Sequence, residues 1–100
     1  MAYYLVRGKP FNEKVDELKD KVRHRSFIDL QPFGRAISYS LENARIDADG
    51  WWIWEEEDYC SPPLSQERAA VIDTYFEEIL VEEVQKGEGW RRIKNNQRAF

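Results

Sequence analysis

The sequence predicts an α+β domain, a two-layer sandwich in which two helices cover one face of an antiparallel sheet. Three observations carry that prediction. Residues 2–7 are rich in strand formers, and a capped amphipathic stretch follows over 12–25. An alternating segment over 35–46 then meets a tryptophan-rich one across an Asp49-Gly50 turn.

The elements follow in order. Ala-Tyr-Tyr-Leu-Val-Arg at 2–7 reads as a strand that Gly8-Lys9-Pro10 brings to an end. Asn12 is a favoured helix N-cap; Glu13, Asp16 and Glu17 sit in the first turns, and Lys21, Arg23 and Arg25 in the last. Phe11, Val15, Leu18 and Val22 repeat at helical spacing, which predicts a helix over 12–25 with one buried stripe. Residues 26–34 read as irregular, punctuated by Pro32 and Gly34.

From 35 to 46 the chain alternates, with Ile37, Tyr39 and Leu41 on one side and Ser38, Ser40 and Glu42 on the other. That is the period of a half-buried strand. A two-residue Asp49-Gly50 turn would join it to a second strand over 51–58, with paired positions summing to 99. Ser65 can cap a second helix over 65–86, whose stripe is Ala69, Ile72, Phe76, Ile79 and Leu80 and whose end is Lys86-Gly87. The alternative ends that helix near 76 and places a strand at 78–84, because Ile79-Leu80-Val81 fits poorly on one helical stripe. The element order then becomes the ferredoxin-like β-α-β-β-α-β.

Length 100 fits one domain, 1–100, and fourteen aromatic residues argue against disorder. The single cysteine, Cys60, excludes an internal disulfide. The opening residues reach a charge at Arg7, and no apolar run approaches the roughly 20 residues of a membrane span. The expectation is a cytoplasmic protein with no membrane partner. Between 55 and 83 ten acidic residues face one basic residue, Arg68, a balance that repels nucleic-acid phosphates. The basic tail Arg91, Arg92, Lys94 and Arg98 is expected to dock through Trp90, its arginines pairing with carboxylates of 55–58 or 77–83. Beyond Asn95 the chain is expected to be mobile.

No motif specifies a chemistry. His24, the one histidine, falls off the buried stripe, so no histidine triad or histidine metal site can be assembled within one chain. Cys60 follows four carboxylates that would disfavour its thiolate. In a strand, Glu55 and Glu57 fall on one face and Glu56 and Asp58 on the other, the disposition of solvated edge charges. Calcium-loop, Walker and dinucleotide spacings are absent, so no metal site and no cofactor is assigned.

Two functional readings remain open. The pairing places Trp52 and Trp54 in the core and turns Trp51 and Ile53 to the second face with Ala44 and Ile46. An apolar patch there would make the chain a protein-interaction module or a homodimer. The competing expectation is that the tail covers the patch. The alternative function is a small-molecule-binding protein or enzyme with a pocket at the sheet–helix or dimer seam. Arg35, Tyr39, Trp54 and Glu57 are then the candidate ligand-binding residues; no nucleophile–base pair identifies a reaction.

Overall fold

The computed structural model describes residues 2–100. Strand β1 (Ala2–Pro10) leads through a 3₁₀ turn (Asn12–Lys14) into helix α1 (Val15–Arg23). Helix α2 (Gly34–Glu42), the short strand β2 (Arg45–Ile46) and strand β3 (Trp52–Asp58) follow. A helical segment, α3, runs from Ser65–Glu67 through a π-helical middle, Arg68–Ile72, to Asp73–Tyr75. Strand β4 (Phe76–Val84), helix α4 (Glu88–Ile93) and strand β5 (Gln97–Arg98) complete the chain. The sheet has the order β4-β1-β3-β2-β5 and every pairing is antiparallel.

Alternation along the strands divides the sheet into two apolar faces. Val6, Trp52 and Trp54 point to one, where Leu18 and Val22 of α1, Ile37 and Leu41 of α2, and Val71 and Ile72 of α3 close over them. Leu5, Ile53 and Val84 point to the other, where Ile93 of α4 covers them. The predicted α+β sandwich is present, with three helices on one face and a fourth on the other.

The 35–46 segment departs from its expected form, because a helix spans Gly34–Glu42 and only Arg45–Ile46 is strand. Phe33, Ile37, Leu41 and Ala44 are spaced four, four and three apart, a helical stripe that the shorter alternation conceals. Ile37, Leu41 and Ala44 are fully buried on it, whereas Tyr39 is exposed.

The hairpin is one residue longer than a two-residue turn. Arg45 pairs with Ile53 and Ile46 with Trp52, so paired positions sum to 98. Asp47 organises the loop: its Oδ1 accepts the N–H groups of Asp49 (2.9 Å) and Trp51 (3.0 Å). Gly50 supplies the left-handed backbone the loop requires, at φ 84°. Trp52 and Trp54 nevertheless reach the core as expected, since β1 rather than β2 backs them.

The predicted helix over 65–86 ends at Tyr75. Phe76 is extended (φ −118°, ψ 130°) and opens β4, the division the alternative reading described. Ile79 packs toward the three-helix face while Val84 joins the opposite cluster, a two-sided use that one helical stripe cannot offer. The tail is also ordered further than expected. Beyond Asn95, β5 pairs with β2, Ala99 is buried and donates its N–H to the Ala44 carbonyl (3.0 Å), and Phe100 meets Trp52 edge-on at 5.6 Å. No helix is long and apolar enough to cross a membrane among the described residues.

Candidate functional site

Because β2 is only two residues long, β3 beyond Ile53 has no strand neighbour on that side. Helix α2 takes its place: Ser40 Oγ donates to the Glu55 carbonyl at 2.8 Å. On the α4 side of the sheet, the Glu55 carboxylate accepts the N–H groups of Gly87 (2.9 Å), Gly89 (2.7 Å) and Trp90 (3.4 Å). This interaction ties the start of α4 to β3. Gly89 permits the approach, since a Cβ there would lie 2.9 Å from Glu55 Oε1 and 3.2 Å from Leu5 Cδ1.

Between α2, β3 and the start of α4 lies a cleft of about 410 Å³. Its aromatic walls are Tyr3, Tyr39 and Trp90, the last two edge-to-face with centroids 6.2 Å apart. Arg35 and Lys86 supply cations, and Glu57 a carboxylate whose Oε1 accepts the Tyr59 hydroxyl at 2.5 Å. That bond, with desolvation added, keeps the Tyr59 phenol above its usual pKa. Of the four residues expected to bind a ligand, Arg35, Tyr39 and Glu57 therefore meet in one cleft. Trp54 does not join them: it is fully buried on the opposite face, with its indole N–H on Glu56 Oε1 at 2.9 Å. Trp90, Tyr3 and Lys86 were missing from the expected set; Trp90 was expected only as the apolar residue that docks the tail.

The opposite face of β3 carries a buried acid cluster, which departs from the solvated edge expected of residues 55–58. Asp58 Oδ2 accepts the N–H groups of Leu64 (2.6 Å) and Cys60 (3.2 Å). Burial alone would raise the Asp58 pKa, but the Glu67 carboxyl and these donors outweigh it and hold it below the usual value. Burial, and then the bond to Asp58, push Glu67 up to about 7. Glu56 is pushed up to about 8 by burial, against the Trp54 N–H and with the help of Glu67 and Asp58. Its Oε2 and Ser38 Oγ have no hydrogen-bond partner among the described residues. A smaller pocket of about 240 Å³, walled by Phe33, Tyr59 and Cys60, opens onto Glu67 and Asp58.

Asp58, Cys60 and Glu67 bring one sulfur and two carboxylate oxygens within 4.8 Å of one another, a set that could ligate a divalent cation. Asp58 Oδ2 is already taken up by the Cys60 and Leu64 N–H groups, and Cys60 Sγ lies 3.8 Å from Glu67 Oε1, so the three groups hold one another as an acid cluster. A glycosidase-like use of Glu55 and Glu57 is likewise opposed, because Glu55 is sealed by three backbone N–H groups.

The expected interface residues are placed differently from one another. Ala44 is fully buried, and Ile53 is 5% exposed in the cluster with Ile93. Ile46 is partly buried against the core, and Trp51 lies half-buried with the Arg7 guanidinium 5.6 Å from its ring. The C-terminal segment thus covers Ile53, and only Ile46 and Trp51 keep accessible surface. His24 is exposed, its Nδ1 2.8 Å from the Asp20 carbonyl. Comparison with protein-family models, with curated proteins and with solved structures gives no match.

Proposed function

We propose that this chain is a small-molecule-binding protein whose ligand occupies the cleft between α2, the outer half of β3 and the start of α4. One observation carries the reading. The cleft joins aromatic walls to a few convergent polar groups, and its volume of about 410 Å³ falls within the range of small-molecule sites, roughly 300–1,000 Å³. Tyr39 supports it: a tyrosine 62% exposed at the mouth of a cleft presents a large ring with little solvent-side support. The walls come from separate elements held by the Ser40 and Glu55 bonds, so the site is formed before a ligand arrives.

A thermal-shift screen of metabolites and nucleotides, followed by titration of hits against Tyr39→Ala and Arg35→Ala, tests this function. Both side chains are exposed, so the variants should fold. The expected result is a hit whose shift is lost in both variants. Hits that stabilise both variants as well as the parent, or silence across a broad library, would remove support from the cleft.

A further inference from the structure

We infer that the cleft selects an anionic aromatic ligand, a planar ring bearing a carboxylate or phosphate, with the ring against Tyr39 and Trp90 and the anion between Arg35 and Lys86. This inference rests on the cleft being a ligand site.

The charges of the cleft are matched unequally. Its two carboxylates are both turned to protein donors: Glu55 to the backbone N–H groups of Gly87, Gly89 and Trp90, Glu57 to the Tyr59 hydroxyl. Its two cations have no such partner. Neither the Arg35 nor the Lys86 side chain forms an ion pair or a hydrogen bond among the described residues, although Glu57 lines the same cleft. Elsewhere on this acidic surface arginines beside carboxylates are paired, as in Arg7–Asp47, Arg25–Glu42, Arg68–Asp73 and Arg92–Glu82. A third cation stands near the rim: Arg91 Nη1 lies 3.2 Å from where a Cβ on Gly87 would sit.

Chemistry points the same way. A guanidinium fork suits a carboxylate or phosphate through two parallel hydrogen bonds, and a lysine ammonium adds an adaptable second charge. A planar ring can stack on an exposed tyrosine or meet the indole edge-on, and either geometry is favoured by the ring quadrupoles. A neutral or cationic ligand would leave two cations uncompensated as water is displaced. A long apolar chain would not use them at all.

The test uses the full chain and matched probe pairs: 1-naphthoate against 1-naphthamide, and adenosine monophosphate against adenosine. Inorganic phosphate and acetate serve as ring-free anions. Binding is read by residue-resolved chemical-shift perturbation, including the Trp90 indole N–H, with melting temperatures confirming that each variant is folded. The expected result is that at least one charged probe binds 10-fold or more tightly than its neutral partner. Its affinity should fall several-fold in Arg35→Ala and in Lys86→Ala, and stay within 2-fold in the tail control Lys94→Ala. The pair that shows the larger ratio identifies the anion as carboxylate or phosphate. Equal binding of charged and neutral probes at the cleft would overturn the anionic inference and leave the binding function standing. Ring-free anions binding as tightly as the ring-bearing ones would overturn the aromatic part. Absence of any cleft perturbation by either kind at millimolar concentration would overturn both.

Discussion

The two faces of the acidic segment of β3 solve one physical problem in opposite ways. On the α4 side, three backbone N–H groups converge on the Glu55 side chain and occupy both of its oxygens. On the α3 side, Glu56 has one indole N–H for its two oxygens and holds its proton to higher pH, as does Glu67 beside Asp58. Both Glu55 and Glu56 are almost completely buried, so burial does not separate them. The supply of donors does: a buried carboxyl with donors is a structural anchor, and one without them becomes a neutral acid.

The largest expected effect breaks the anchor. Glu55→Ala leaves the N–H groups of Gly87 and Gly89 without acceptors and frees α4 from the sheet. Hydrogen bonds to a charged group contribute about 1.5–3 kcal/mol each, and stranded buried donors cost about 1–3 more. A loss of at least about 3 kcal/mol in urea unfolding is expected, together with loss of ligand binding in the cleft. A stability change under about 1 kcal/mol would show that apolar packing of Ile93 alone holds α4.

Next in size is the response of the neutral acids to pH. A carboxyl whose folded pKa lies above its unfolded value of 4.5 stabilises fully below that value and loses its contribution as pH rises through the folded pKa. Glu67 sets that loss near 7 and Glu56 near 8, so stability should fall from about pH 5 to pH 8.5. Asp58 acts in the opposite sense, but only where pH falls below its unfolded value of 3.8. Glu56→Gln resembles the protonated acid and keeps an oxygen for the Trp54 indole. It should flatten this decline and raise stability at pH 8 by a few kcal/mol, equivalent to roughly 10–20 °C in melting temperature. A parent protein equally stable at pH 5 and pH 8 would contradict the neutral-acid assignment.

A smaller effect probes the spacing between α4 and β3. Gly89→Ala places a methyl 2.9 Å from Glu55 Oε1 and 3.2 Å from Leu5 Cδ1. Overpacking of this kind costs about 1–3 kcal/mol. Chemical denaturation should show a loss in that range, with the pH profile of the acid cluster unchanged because its groups lie across the sheet.

The alternation of these four acids was legible in the sequence, as were β1, α1 and the core positions of Trp52 and Trp54. Periodicity over a few residues failed where two periods coincide: Ile37 and Leu41 satisfy both a strand and a helix, and only Phe33 and Ala44 extend the helical spacing. The helix read through Tyr75 failed because the edge of β1 demands a partner strand, a long-range requirement that no local window contains. Arg35, Tyr39 and Glu57 were grouped from the sequence and do line one cleft, although the element holding Arg35 and Tyr39 was misassigned. Trp90 was missed because its place opposite Tyr39 depends on how α4 folds back across the sheet. The fate of each carboxylate was illegible for a related reason. Its donors come from Gly87, Gly89 and Leu64, far along the chain or in a loop, and backbone N–H groups leave no mark in composition.

The smallest change in stability is expected at Glu57, where recognition should nonetheless change. Glu57 lies on the same face as Glu55 but is half-exposed, and its one hydrogen bond comes from the exposed Tyr59 hydroxyl. Glu57→Gln keeps an oxygen for that hydroxyl, so stability should change by no more than about 0.5 kcal/mol, as for most surface substitutions. The carboxylate nonetheless lines the cleft with Arg35 and Lys86, where its charge would oppose the anionic ligand proposed for the cleft. Removing one unit of like charge at a partly desolvated site should strengthen binding by roughly 0.5–1.5 kcal/mol, about 2- to 12-fold, and more at low salt than at high salt. Titration of the variant with a charged probe at two ionic strengths measures this directly. Weaker binding in Glu57→Gln would mean that Glu57 accepts a hydrogen bond from the ligand. The cleft would then recognise a donor beside the anion, and the contrast between an anchoring Glu55 and an opposing Glu57 would give way to two carboxylates that both hold something in place.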